Sequence, residues 1–233
     1  MTTRRTFLSA AGALLAGTAA AQAPDACSVS TKATQSATTP EEALARLTAG
    51  NGRFLAGQPI HCDLLAQVRG TASGQAPFAA VLGCMDSRVP PELVFDQTIG
   101  DIFVVRIAGN FVDTDILGSL EYATHAAGAK AIVVLGHSDC GAVKGAIDGV
   151  VLGHLTSALR NIRPAIAQVG EVSGAHTSKN KKFVQAVADQ NARDSAAALS
   201  ARSDVLRALV ARGKLKIVSA MHDVATGEVR WLG

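Results

Sequence analysis

The stretch Ala131-Ile132-Val133-Val134-Leu135-Gly136-His137-Ser138-Asp139-Cys140-Gly141 decides how this chain folds. Its first five residues are apolar without a break, and three of them are β-branched, the pattern of a strand covered on both faces. Gly136 ends the run, and a helix is expected to begin near Gly141. Three further runs share the character: Phe78 to Gly83, Ile102 to Ile107 and Leu215 to Met221. The intervals between them are long enough for helices. Alternating strand and helix implies an α/β fold with a mostly parallel central sheet of four strands, flanked by helices. Thr226-Gly227 followed by Glu228 to Trp231 reads as a turn into an antiparallel edge strand.

Helix signals fill the intervals. Thr39-Pro40-Glu41-Glu42 has the form of a capping box with Pro at the first helical position, so a helix should run from Pro40 with Leu44 and Leu47 on its buried face. Gly50, Gly52 and Gly57 should limit its length. Leu117 to Ala127 reads as a helix stopped by Gly128. Leu155, Leu159, Ile162 and Ile166 recur at helical spacing, with Pro164 disturbing the stripe. Ser203 can cap a helix over Asp204 to Arg212, closed by Gly213. No repeat and no second domain boundary is visible, so residues 39–233 read as one domain.

Composition narrows the function. At 233 residues with 48% hydrophobic content, the chain can bury a substantial core. The formal net charge is +3, of which Arg4 and Arg5 supply two, leaving +1. A near-neutral chain has no broad electrostatic footprint for nucleic acid or acidic lipid. The cluster Lys179, Lys181 and Lys182 lies in a Ser/Asn-containing stretch and reads as a solvated loop. Residues 1–23 read as a twin-arginine-type signal peptide: Thr3-Arg4-Arg5-Thr6-Phe7-Leu8 precedes an apolar run from Ala10 to Ala21. Ala21-Gln22-Ala23 and Ala19-Ala20-Ala21 both offer a cleavage site. The run is Ala/Gly-rich and short for a membrane span, so no stable anchor is expected after cleavage, a retained anchor being the alternative. Periplasmic localisation is the corresponding expectation. Residues 24–38, rich in Ser, Thr and Ala, read as a flexible lead-in.

Four cysteines divide by their surroundings. Cys27 and Cys62 lie outside any motif and could pair as a disulfide in an exported protein. Cys84 and Cys140 lie at strand ends, where open α/β sheets bind their ligands. The first strand exits through Gly83-Cys84-Met85-Asp86-Ser87-Arg88, whose period of two puts a thiol, a carboxylate and a guanidinium on one side of an extended chain. The third exits through His137 and Cys140, three apart at a strand-to-helix turn. Cysteine thiolate and histidine nitrogen are zinc ligands, and three protein ligands with an open fourth position mark a catalytic site. Asp86 is the possible fourth ligand in a closed state, and Arg88 can compete for it through a bidentate ion pair. A lone buried Cys is ordinarily a small hydrophobe and a lone His a hydrogen-bonded core residue. Two fragments with ligand spacing at two strand ends of one sheet make the metal the better explanation.

The sequence resembles the beta-class carbonic anhydrases over roughly residues 40 to 233. The resemblance rests on Cys84-Met85-Asp86-Ser87-Arg88-Val89-Pro90-Pro91, Arg106-Ile107-Ala108-Gly109-Asn110, Gly118-Ser119-Leu120-Glu121-Tyr122 and Gly136-His137-Ser138-Asp139-Cys140-Gly141-Ala142-Val143. Weaker echoes are Gly50-Asn51-Gly52-Arg53-Phe54 and Asp223-Val224-Ala225-Thr226-Gly227. The resemblance implies one zinc ion per chain on Cys84, His137 and Cys140, a switching pair of Asp86 and Arg88, and an active-site glutamine at Gln75. It also implies a homodimer or homotetramer with the active site at the dimer interface. Bacterial members regulated by bicarbonate carry Trp three residues before the first Cys, whereas Val81 stands here, which favours the open, water-ligated state. His222 stands where many members have Tyr.

The expected reaction is reversible hydration of carbon dioxide to bicarbonate by zinc-bound hydroxide. Asp86 would orient the hydroxide, Arg88 would keep Asp86 ionised and off the metal, and the Gln75 amide would donate to a substrate oxygen. Two thiolates neutralise the metal's charge, so turnover should rise on the alkaline side. None of His61, His125, His154 or His222 is marked as the proton carrier. The same scaffold would also suit carbon disulfide or carbonyl sulfide, and a periplasmic zinc-binding protein without turnover is the alternative from another class. Gly136 and Gly141 have P-loop separation, but Ala142-Val143 stand where Lys-Ser/Thr is required, which excludes a nucleotide site.

Overall fold

The computed structural model describes residues 27–232, so the export-signal reading over 1–23 lies outside the described residues. Among the described residues five strands form one sheet: β1 (Ala79–Gly83), β2 (Ile102–Arg106), β3 (Ala131–His137), β4 (Lys216–His222) and β5 (Val229–Trp231). Their order is β2-β1-β3-β4-β5, with four parallel strands and an antiparallel fifth at one edge. The expected architecture is therefore the observed one. Every residue of β1 and β3 is buried. Alternate side chains feed two cores: Val81, Val133 and Leu135 pack with Leu47 and Phe95 on one face, while Leu82, Ile132 and Val134 pack with Leu120, Val187 and Leu199 on the other. From β1 the chain steps outward to β2, then returns past β1 to β3. The order reverses between β1 and β3, and the crevice at their carboxyl ends is where such sheets bind ligands.

Ten α-helices of the described residues surround the sheet. On one side lies α2 (Pro40–Leu55), capped as expected: Glu42 N–H donates to the Thr39 hydroxyl at 3.1 Å and Thr39 N–H to the Glu42 carboxylate at 2.8 Å. It runs through Gly50 and Gly52 rather than stopping there. Gly50 is required by close approach, since a Cβ would sit 1.8 Å from the Phe95 carbonyl oxygen just after α4 (Pro91–Val94). Buried Asn51 donates to Val94 O and Gly227 O, both at 3.0 Å, and accepts from Val229 N–H, also at 3.0 Å. Arg53 pairs with Asp96. The Gly50–Phe54 echo is thus a seam between α2, the α4 loop and β5.

The lead-in over 24–38 needs correction from Cys27 onward. Residues Lys32–Ala37 form α1, opened by a capping box at Thr31, and Gln35 is buried. Cys27 and Cys62 are joined in a disulfide with a Cα–Cα distance of 5.5 Å. Beyond Cys62 comes α3 (Leu64–Thr71), opened by Asp63, which accepts from Ala66 N–H at 3.0 Å. The helix expected over 117–127 begins earlier, as α5 (Thr114–Glu121) capped by Asp113, and continues as a π-helical turn over Tyr122–Ala126 before Gly128 at φ +94°. After β3 come α6 (Gly141–Ile147), α7 (Leu155–Arg160) and α8 (Arg163–Gln168), the last two dividing the expected stripe just ahead of Pro164. Lys181 and Lys182 are solvated but open α9 (Lys181–Arg202), so the loop reading there is also corrected. Asn180 caps α9, accepting from Lys182 N–H and Phe183 N–H. Ser203 caps α10 (Asp204–Ala211), as its position predicts.

Candidate metal centre

Cys84 follows β1 directly, and the neighbouring loop after β2 is shaped around its sulfur. Arg106, paired with Gly83 in the sheet, donates to the Cys84 carbonyl at 3.0 Å and to the Asp86 carbonyl, bracing the extended exit. Gly109 N–H donates to Cys84 Sγ at 3.3 Å. The next peptide of the loop is held from the far side, where Asn191 of α9 donates to the Gly109 carbonyl at 2.8 Å. Gly109 itself lies at φ +85°, and a Cβ there would meet Ile162 Cδ1 at 2.5 Å. The Arg106–Asn110 motif is therefore a thiolate cradle, and Asn191 is a supporting residue that sequence reasoning missed.

His137 ends β3 with a side chain 0% exposed. Its Nδ1 lies 2.9 Å from the Ser138 carbonyl oxygen. A carbonyl only accepts, so Nδ1 carries the proton and the lone pair sits on Nε2. Nε2 is buried and has no hydrogen-bond partner among the described residues. Asp139 then takes φ 58°, turning the chain so that Cys140, at the N-cap of α6, returns toward His137. The ligand atoms of Cys84, His137 and Cys140 lie within 4.8 Å of one another and all three residues are buried. An orphaned imidazole nitrogen facing two thiols fits a thiophilic divalent metal, and the donor set is zinc's. The Nδ1 contact to a backbone carbonyl is the usual device that orients a ligating imidazole.

The two thiols are unlike. The hydrogen bond from Cys140 pulls the Cys84 thiol well below its usual range, with Gly109 N–H adding to it against the opposing effect of burial. Cys140 moves up, first because it is the donor and then because it is buried.

Asp86 is tied down beside this triad. Arg88 Nε donates to Oδ1 at 2.9 Å, its terminal nitrogen to Oδ2 at 2.8 Å, and its backbone N–H to Oδ1 at 3.0 Å. This bidentate pairing holds the Asp86 carboxyl well below the usual carboxylate range. Asp86 Oδ2 stays 3.9 Å from His137 Nε2. Arg88 also lies 3.8 Å from Asp139, which pairs with Lys144. Cys84, Asp86, Arg88, His137 and Cys140 are therefore brought together as their spacing predicts.

Gln75 is not. It precedes β1 while Cys84 follows it, so the length of the strand separates them within one protomer. Gln75 is exposed and donates to the Tyr122 hydroxyl at 3.4 Å. Tyr122 packs edge-on against Phe103 at 6.1 Å between ring centroids, beside a groove of about 610 Å³ along β2 and α5. Among the other histidines, His61, His125 and His154 are exposed, whereas His222 is buried opposite His137 in the β3–β4 register, and burial lowers its pKa.

A family model described as carbonic anhydrase matches residues 79–229. A carbonic anhydrase 2 of Mycobacterium tuberculosis is 38% identical over 196 residues, covering 82% of this chain and 91% of its own. A carbonic anhydrase of Mycolicibacterium smegmatis is 37% identical over 191 residues, covering 82% and 92%. Among solved structures, the beta-carbonic anhydrase CafA of Aspergillus fumigatus aligns with a TM-score of 0.64 at 27% identity, covering 72% of this chain and 81% of its own. A tetrameric beta-carbonic anhydrase of Sordaria macrospora aligns at 0.63 and 28% identity, covering 71% and 85%.

Proposed function

The chain belongs to the beta-class carbonic anhydrase family and reversibly hydrates carbon dioxide to bicarbonate and a proton, and we propose that one zinc ion per protomer, held by Cys84, His137 and Cys140, serves that reaction. The observation that carries the assignment is the buried, unpartnered His137 Nε2 facing two thiols, with the adjacent carboxylate already engaged elsewhere. Zinc bound there supplies Lewis acidity, bringing the ionisation of a coordinated water toward neutral pH.

The remaining work belongs to the protein. His137 presents Nε2 because Ser138 holds the proton on Nδ1. Cys84 receives Gly109 N–H, which offsets part of its negative charge. Asp86, held as an anion by Arg88, offers a carboxylate oxygen as hydrogen-bond acceptor at the edge of the triad and orients the attacking oxygen. The same pair keeps Asp86 out of the ligand set, which supports the open state. The test is a stopped-flow carbon dioxide hydration assay on protein of measured zinc content. Activity that tracks zinc occupancy is expected, and zinc-loaded protein without turnover would refute the reading.

The active unit in this reading is a homodimer, alone or within a tetramer. Gln75 lies at the wrong end of β1 to serve its own metal, but it stands with Tyr122 and Phe103 beside the apolar groove on edge strand β2. A second copy seated on that groove brings the Gln75 amide to the neighbouring protomer's centre, where it donates to a substrate oxygen. Export by the twin-arginine route to a bacterial periplasm is likewise proposed. Supporting it are the Arg4-Arg5 pattern, the Cys27–Cys62 disulfide, which suits an oxidising compartment, and the metal-ready thiols, which folding before export would protect. Among the described residues no helix is long and apolar enough to cross a membrane.

A further inference from the structure

A buried polar side chain on the N-terminal strap bonds to the two backbone segments that carry Gln75 and Tyr122. The strap runs from Cys27 through α1 and is fastened at several points. The Cys27–Cys62 disulfide ties its start to the segment before α3. Val29 fills the space that a side chain at Gly70 would need, its Cγ2 lying 2.9 Å from where a Cβ would stand. The Ser30 hydroxyl donates to Asp101 at 3.3 Å.

At the strap's end Gln35 is 4% exposed, and its amide spends both hydrogens. One goes to the Pro77 carbonyl at 2.6 Å and the other to the Ala127 carbonyl at 2.9 Å. Its oxygen accepts from Lys32 Nζ at 3.2 Å, and Lys32 Nζ also reaches Ala127 O at 2.8 Å. Gly128 lets the amide approach, since a Cβ there would lie 3.0 Å from Gln35 Oε1. Pro77 stands two residues after Gln75. Ala127 N–H donates to the Tyr122 carbonyl at 2.9 Å and closes the π-helical turn. Gln75 donates to the Tyr122 hydroxyl, and Gln35 ties together the two backbone segments from which that pair projects. A fully satisfied buried amide of this kind specifies geometry more than it adds stability.

We infer that Gln35, on a strap locked by the Cys27–Cys62 disulfide, is a positioning residue that sets the placement of Gln75 and Tyr122 for the reaction at the neighbouring protomer's metal centre. It rests on the shared-site reading of Gln75, and it touches neither substrate nor metal.

The test is a mutant cycle on the full exported chain, read by carbon dioxide hydration kinetics, zinc content and oligomeric state. Gln75→Ala should lower kcat/KM by about tenfold, the scale of one lost hydrogen bond to substrate. Gln35→Ala should raise KM about three- to fivefold with kcat, zinc and oligomer unchanged, because only the substrate-side donor is displaced. Gln35→Ala with Gln75→Ala should match Gln75→Ala alone within about twofold, since a positioning residue has nothing left to position. Multiplying losses, or a wild-type KM in Gln35→Ala while Gln75→Ala is impaired, overturn the inference alone. A wild-type rate in Gln75→Ala overturns the shared-site reading and the inference with it. Should Gln35→Ala fail to fold, Cys27→Ser with Cys62→Ser frees the strap while leaving Gln35 in place. The same rise in KM, absent on a Gln75→Ala background, is expected there, and an unchanged KM overturns the inference.

Discussion

Removing the Arg88 side chain should convert a poised metal centre into a self-inhibited one. In Arg88→Ala the two side-chain hydrogen bonds to Asp86, at 2.9 and 2.8 Å, are lost, while the backbone contact at 3.0 Å survives any substitution. Fully buried, each charge-assisted bond would contribute about 1.5–3 kcal/mol. The Arg88 side chain is 47% exposed and that of Asp86 19%, so solvent screening reduces the pair to about 1–2 kcal/mol. The released carboxylate stays ionised and already stands 3.9 Å from His137 Nε2, within one side-chain rotation of the metal position. A change of about 1–2 kcal/mol shifts the balance between a retracted and a metal-directed Asp86 by roughly 5–30-fold. Where metal-directed Asp86 becomes dominant, kcat/KM at neutral pH falls by up to that factor with zinc content unchanged. X-ray absorption should then show a carboxylate oxygen joining two sulfurs and one nitrogen. An Arg88→Ala protein with kcat/KM within about twofold of wild type and an unaltered zinc shell would refute the competition between Arg88 and the metal.

The other expectations concern pH, metal and frame. Because Arg88 depresses the Asp86 pKa in the folded chain, the pair's stabilisation is present above the unfolded value of about 3.9 and is lost as pH falls through the lower folded value. Thermal unfolding of Asp86→Asn against wild type, both free of metal, should show a difference that is constant above about pH 4 and shrinks in more acid solution. Turnover should rise between about pH 6 and 9, since two thiolates soften the metal's charge, and a flat profile would contradict the ligand set. Chelation should abolish activity but leave the far-ultraviolet circular dichroism in place, because the core on both sheet faces does not depend on the metal; collapse of the spectrum would make the site structural. Cys27→Ser with Cys62→Ser opens a loop of sequence separation 35 and should cost about 3–4 kcal/mol, a fall in Tm of roughly 10 °C. Gly50→Ala forces a Cβ toward the Phe95 backbone and should destabilise by about 3 kcal/mol; an unchanged denaturant midpoint would show that α2 can lift away.

How legible each element is in the sequence depends on which interactions shape it. β1 and β3 announce themselves because both of their faces are apolar and buried, and the triad because its ligand spacings coincide with strand ends. The long α9 carries no such signal. Its buried face includes Ala188, Asn191, Ala192 and Ser195, so polarity barely alternates around the helix. Strap helix α1 reads as a flexible lead-in for a related reason. Gln35 is its one buried residue, anchored by hydrogen bonds to two backbone carbonyls that no pattern in the sequence marks. Gln75 shows the limit of counting along a chain. A separation of nine residues from Cys84 says nothing of proximity when a strand lies between them. Asn191, far downstream, reaches the Gly109 peptide through tertiary packing that local spacing cannot express.

The π-helical turn over Tyr122–Ala126 makes chain length itself a constraint. Its hydrogen bonds close one residue later than those of an α-helix, so the turn accommodates a residue that a regular helix would leave out. Deleting one residue between Ala123 and Ala126 would let the segment relax to ordinary helix, rotating the chain beyond it by about 100° and shifting it by about 1.5 Å. Ala127 and Gly128 would then no longer meet Gln35, although every side chain named at that junction would still be present. A single-codon deletion in this turn is thus expected to act like a lesion at a junction whose residues it leaves untouched, and one compensating insertion before Gly128 should repair it.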